Sequence, residues 1–168
     1  MSSRRGHARV GYATGGRAAR SAVYVVALLL AVGCASGPTY EQLRPTMPAI
    51  ASGQGRIFVY LPASTAVPAN PQITVDGEIV GVLRPGTFLS FDRPEGAHVV
   101  GVHVKAVNVF GQGATEPVEI PLLAGETAYV SASANAMGGL VIVTLTRVAP
   151  DDGERDLAGM HLAPPPEP

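Results

Sequence analysis

Ile73-Thr74-Val75-Asp76-Gly77-Glu78-Ile79-Val80-Gly81-Val82 sets Asp-Gly between two short apolar, β-branched runs. A two-residue type I′ turn needs positive φ at both central positions, which Asp-Gly tolerates, and its twist matches that of the strands it joins. The spacing therefore predicts a hairpin. With the turn at Asp76-Gly77, Val75 should face Glu78 and Ile73 should face Val80. Ile73, Val75, Val80 and Val82 would then share the core side, because side chains along a strand alternate.

Similar signals extend in both directions. Upstream, Arg56 to Leu61 (Arg-Ile-Phe-Val-Tyr-Leu) reads as a strand stopped by Pro62, since proline cannot donate to a ladder. Downstream, Pro85-Gly86 fits the centre of a type II turn leading into a strand over Thr87–Asp92, and Pro94-Glu95-Gly96 turns the chain again. From His98 to Val107 the sequence alternates, with Val100, Val102, Val104 and Ala106 on one side and His103 and Lys105 on the other. Further strands are expected over Glu116–Leu122, Thr127–Ser133 and Leu140–Val148, separated by Phe110-Gly111-Gln112-Gly113, Ala124-Gly125-Glu126 and Gly138-Gly139. Seven or eight short strands without a sustained 3.6-residue period predict an all-β fold, a single antiparallel sandwich of immunoglobulin-like type.

The flanks lack that pattern. Ala35 to Gly55 is rich in Ser, Gly and Pro and reads as a flexible tether spanning on the order of 25 Å. Beyond the sandwich, expected over residues 56–149, the acidic Pro150-Asp151-Asp152-Gly153-Glu154-Arg155-Asp156-Leu157 suits one helical turn, its acids placed at the N-terminus. Pro164-Pro165-Pro166 ends regular structure in this 150–168 tail.

Residues 1–33 have the layout of a secretory signal. Arg4, Arg5, Arg9, Arg17 and Arg20 come first with no acid among them, an apolar run over 21–32 follows, and small residues come next. That run is shorter than the 20 or so residues a membrane span wants. Cys34 is the only cysteine, which excludes an internal disulfide and points to a special role for the thiol. Ala31-Val32-Gly33-Cys34 resembles the bacterial lipobox, with Ala31 in place of the favoured Leu. The resemblance implies diacylglycerol on the Cys34 sulfur, cleavage before it and acylation of the new amine. Several acyl chains hold a protein on a bilayer, each buried methylene contributing about 0.8 kcal/mol. A signal anchor left uncleaved, with Cys34 just past its end, is the alternative. Ala35 after the cysteine, by resemblance to enterobacterial sorting, favours the outer membrane over the inner, with the domain facing the periplasm.

Gly55-Arg56-Ile57-Phe58-Val59-Tyr60-Leu61-Pro62, Val75-Asp76-Gly77, Gly86-Thr87-Phe88, Gly96-Ala97-His98 and Ala124-Gly125-Glu126-Thr127-Ala128-Tyr129-Val130 together resemble a small bacterial lipoprotein family of unknown function. Its members read Val-Tyr-Arg-Pro, Val-Asp-Gly, Pro-Gly-x-His and Ala-Gly-Lys-x-Tyr-Tyr-Val. Here Leu61 stands for the Arg, Glu95 separates Pro94 from Gly96, and Ala128 replaces the first Tyr. The Val-Asp-Gly-x-x-Val-Gly portion with the later Gly-x-His is also similar to the PEGA domain, an extracytoplasmic β-sandwich. Turn residues dominate both likenesses, so they imply a fold rather than an activity.

Composition narrows function. From Cys34 onward seven basic residues face thirteen acidic ones, and an acidic surface repels phosphate backbones, so no nucleic acid partner is expected. The chain has no Trp, and only Tyr40, Tyr60 and Tyr129 follow the signal, so stacking platforms for sugars or bases are scarce. His98 and His103 lie five apart, on opposite faces of a strand, and cannot jointly hold a metal. His98 beside Gly96 reads as a turn-flanking residue with a local hydrogen bond, and His161 as a solvated tail residue. Ser90 lacks a nucleophile elbow. The carboxylate pairs Asp92/Glu95 and Glu116/Glu119 sit in turn and edge contexts, and Gly111-Gln112-Gly113 is too short to cradle phosphate. No catalytic residue, metal ligand or cofactor is assigned. Ala128, Val130, Ala132 and Ala134, beside polar Ser131 and Ser133, suit a close-packed sheet face or a protein-contact edge. The expectation is a lipid-anchored envelope lipoprotein, held in the bilayer through acylated Cys34, that acts by binding an envelope protein as an accessory or structural module without catalysis. The competing readings are a periplasmic hydrolase and an inhibitor of a cell-wall lytic enzyme.

Overall fold

A computed structural model describes residues 37–65, 70–103, 116–137 and 140–164. Nine strands run in chain order: β1 Gln54–Leu61, β2 Gln72–Val75, β3 Glu78–Val82, β4 Thr87–Pro94, β5 Gly96–His103, β6 Val118–Leu122, β7 Thr127–Met137, β8 Leu140–Val148 and β9 His161–Leu162. Two helices join them, α1 over Tyr40–Leu43 and α2 over Pro150–Leu157. One sheet has the order β8-β7-β1-β4-β9 and the other β3-β2-β5-β6.

The fold is β-rich and two-sheeted, with nine strands among the described residues where seven or eight were expected, and with mixed rather than purely antiparallel pairing. β1 runs parallel to β7, and β4 parallel to β9. Strand β1 lies between an antiparallel and a parallel neighbour, and its Ile57–Leu61 part, buried on both faces, is correspondingly an unbroken apolar run. Ile57, Val59 and Leu61, all fully buried, join Ile73, Val75, Val100, Ile120 and Val130 in the core shared by the two sheets. Phe58 and Tyr60 point the other way. There they meet Tyr40, Phe88, Tyr129, Leu157 and Met160 in a second core, roofed by α1, α2 and the approach to β9. The Phe58 and Tyr129 rings stack at 5.5 Å, while Tyr40 sets its ring at nearly 90° to both Phe58 and Phe88. Such offset and edge-on pairs suit the ring quadrupole.

This second core corrects both flanks. The stretch expected to be a free tether carries α1, whose Thr39 cap is closed reciprocally with Gln42. Its Tyr40 is only 5% exposed. In the tail, α2 has two turns rather than one, and Leu157, Met160 and Ala163 are buried. A single aromatic or leucine anchor in a Pro- and Gly-rich stretch makes no period, so these contacts leave no trace in the sequence pattern.

The predicted hairpin forms, with Asp76 at φ 52° and Gly77 at φ 84°. Val75 faces Glu78 as expected, but the ladder slips between Ile73 and Thr74, and Ile73 faces Gly81 rather than Val80. A bulge of this kind puts one extra residue in one strand and reverses the facing beyond it. The fully buried residue at the end of this hairpin is accordingly Leu83, and Val82 is only partly buried. Gly81 comes so close to β4 that an added Cβ would lie 2.5 Å from a Leu89 methyl. A larger residue there would require the Leu89 side chain to move.

β5 ends at His103, and the expected continuation through Val104, Ala106 and Val107 lies outside the described residues, as does the Phe110–Gly113 loop. Ala128, Ala132 and Ala134 are buried between the sheets.

Candidate functional site

Cys34 lies outside the described residues, but the chain that follows it is fixed from Gly37 on. Pro38 O accepts the Leu162 amide at 2.9 Å, Gly37 O lies 2.8 Å from His161 Nδ1, and the Tyr40 amide donates to Met160 O at 2.9 Å. His161 is thus a strand residue of β9 tied to the N-terminal segment, not a solvated tail group. β9 in turn pairs with Thr87 and Phe88 at the start of β4, level with Tyr60 and Leu61 at the end of β1. Because Thr39 pairs antiparallel with His161, the chain runs from Gly37 toward the Leu61 end of the larger sheet.

The remaining candidates are dispersed. His98 and His103 do face opposite ways, His98 9% exposed and His103 exposed. Asp92 turns away from Glu95 and takes both Arg56 Nε and Nη2, at 2.7 and 2.9 Å, while Arg56 Nη2 also reaches Pro48 O at 2.9 Å. This forked pairing holds the Asp92 carboxyl below the usual carboxylate range. Glu95, Glu116 and Glu119 are exposed, and Ser90 sits opposite Phe58 within the sheet. Tyr60, Tyr129 and Tyr40 are packed in the second core rather than presented to a ligand. The Tyr60 hydroxyl donates to Asp156 at 2.7 Å, and burial pushes its pKa up. Among the described residues no three His, Cys, Asp or Glu side chains converge on one point. A groove between α1 and α2, lined by Tyr40, Glu41, Arg44, Pro45, Glu154 and Ala158, is bridged by an exposed Arg44–Glu154 pair at 3.3 Å.

A polar constellation around the buried His98 stands at the Gln54 end of β1. His98 Nδ1 meets Asp76 Oδ2 at 2.8 Å and His98 Nε2 meets Pro94 O at 2.8 Å. The other Asp76 oxygen accepts the Val99 amide at 2.9 Å. A carboxylate and a carbonyl both accept, so two good bonds require both ring nitrogens to carry protons. The Asp76 bond accordingly raises the His98 pKa, burial opposing it, and the same bond lowers the pKa of Asp76. A charged imidazole with both nitrogens engaged has no lone pair for taking a proton or binding a metal. Its chemistry is that of a clasp, joining the β2–β3 turn to the β4–β5 turn. The expected local hydrogen bond of His98 is present to Pro94. The bond to Asp76 spans 22 residues and follows from strand pairing that no local motif announces.

Comparison with protein-family models finds no match to this chain, and comparison with curated proteins finds none either.

Proposed function

We propose that this chain is a lipid-anchored lipoprotein of the bacterial envelope, its domain facing the periplasm, acting by binding as an accessory or structural module rather than by catalysis. One observation carries the reading: a lone cysteine, Cys34, directly follows an arginine-led apolar segment and small residues, three positions ahead of the point where the chain docks on its domain. Acylation at that thiol supplies an anchor, since buried methylenes add about 0.8 kcal/mol each. The doubly engaged His98, the one buried polar side chain among the described residues, supports binding over hydrolysis. The resemblance to lipoprotein and PEGA-type sandwiches leans the same way.

Labelling with radioactive palmitate tests it. The wild-type chain should take up label, accumulate as an unprocessed precursor under globomycin, and lose both properties in Cys34→Ser. Cleavage of the signal without any label on the wild type would overturn the anchor.

A further inference from the structure

Four strands stand at sheet edges among the described residues: β8 and β9 in the larger sheet, β3 and β6 in the smaller. An edge strand offers unpaired amides and carbonyls to any extended chain, and proteins blunt such edges by shortness, charge, proline or a bulge. Three of the four are blunted in these ways. β9 has only two residues. β6 contains Pro121, which cannot donate to a ladder, beside the exposed Glu119. β3 begins at the exposed Glu78, and its ladder with β2 is broken by the register shift at Ile73/Thr74. β8 has none of these devices over Ile142-Val143-Thr144-Leu145-Thr146. Its nine residues keep one unbroken register with β7, from Val148 opposite Tyr129 to Leu140 opposite Met137. No second strand pairs with it among the described residues. The first charge along it, Arg147, is already held by Glu126 at 2.9 Å.

We propose that β8 is an interface between two copies of this chain, paired antiparallel about a two-fold axis at Thr144 so that their five-stranded sheets become one. Facing and charge select a second copy as the occupant. With Thr144 opposite itself, Val143 meets the other copy's Leu145 and Ile142 meets the other copy's Thr146. Positions two apart share a face, so this register keeps the two sides of the sheet in step. Val143 and Leu145 are buried in the core between the sheets, and pairing carries that core across the axis. Thr144 and Thr146 are exposed on the other face, where they continue the hydroxyls of Ser133 and Ser131 opposite them on β7. Threonines directly opposite one another stabilise paired strands. A two-fold contact must also be self-complementary, because the same patch serves both sides. A single charge near the axis would meet its like, and residues 142–146 carry none. A strand from a charged partner would find no opposite charge there. Pairing of this kind needs no lipid, and so stands apart from the anchor at Cys34.

The compact unit Ser36–Pro168 contains both cores and every described residue, and so serves as the test protein. Sedimentation equilibrium should give it twice the mass of one chain. Thr144→Lys places two ammonium groups at the axis and should yield monomers, as should Thr144→Glu. Thr144 is exposed, so both variants should keep the circular dichroism of the wild type. Mixing the two variants should restore the dimer, because lysine then faces glutamate. Glu78→Lys, at the β3 edge of the other sheet, should leave the dimer intact. A wild type that stays monomeric up to its solubility limit would overturn the proposal. So would a dimer that survives Thr144→Lys, which would place the contact elsewhere, or one that the mixture of lysine and glutamate variants fails to restore.

Discussion

His98 and Asp76 are joined at 2.8 Å, with the Pro94 carbonyl holding the other side of the imidazole. Because this geometry requires a charged ring, it ties stability to pH. The folded-state pKa of His98 is raised, so its contribution is fully present below the unfolded value near 6.5 and is lost as pH rises through the folded value. That of Asp76 is lowered, so its contribution is present above the unfolded value near 3.9 and is lost as pH falls through the folded value. The clasp is strongest between about pH 4 and 6.5. Charge-assisted bonds contribute about 1.5–3 kcal/mol, and with Asp76 half exposed the loss should be nearer 1 kcal/mol. Thermal unfolding should fall by roughly 4 °C between pH 6 and pH 9 in the wild type relative to His98→Gln. Parallel pH profiles in the two proteins would refute the assignment.

Tyr40→Ala should cost about 3 kcal/mol, as for other buried aromatic truncations, because the ring closes on Phe58 and Phe88. Urea midpoints would show it. Limited proteolysis should then cut within residues 37–51, which the wild type protects. A neutral outcome on both measurements would restore the view of this stretch as a loose linker.

Gly153 interrupts α2, and in most helices Gly→Ala adds about 1 kcal/mol of stability. Here the sign should reverse. A methyl at 153 would overlap the Tyr129 ring, and overpacking costs about 1–3 kcal/mol. Denaturation of Gly153→Ala against the wild type decides between helix propensity and ring contact.

Arg56→Lys keeps the charge but not the fork that takes both Asp92 oxygens and Pro48 O. Lysine offers a point charge instead of a planar pair of donors. We expect a loss of about 1 kcal/mol, with faster amide exchange around Pro48 to Gly53. Unchanged exchange there would show that Arg56 does not hold this segment.

Local signals were readable wherever one residue pair sufficed. Asp76-Gly77 and Pro85-Gly86 turn as their conformational preferences require, with Gly86 at φ 78°, and β8 occupies the residues expected of it. Facing was readable only until the bulge. No rule of alternation reveals that Gly81, rather than Val80, is opposite Ile73, because an extra residue in one strand leaves the apolar pattern unchanged. Parallel pairing of β1 with β7 depends on a crossover through the whole second sheet. The second core draws Tyr40, Phe58, Phe88, Tyr129 and Met160 from five separate segments. His98 could be placed beside its turn by inspection of Gly96, whereas its bond to Asp76 required the pairing of β2 with β5.

Thr39 and His161 form a bridge across almost the full described length, and Tyr40 seals a core whose opposite wall includes Leu157 and Met160. A chain that emerges N-terminus first cannot complete that seal until Leu157 and Met160 are free. Early segments can pair, as β2 and β3 do, but the aromatic layer has to wait for Leu157 and Met160. Contacts of such long sequence separation are slow to form. The nascent chain is thereby kept short of its final state for as long as any channel or ribosome retains Met160, and removal of residues 157–164 should uncover part of Phe58 and Phe88.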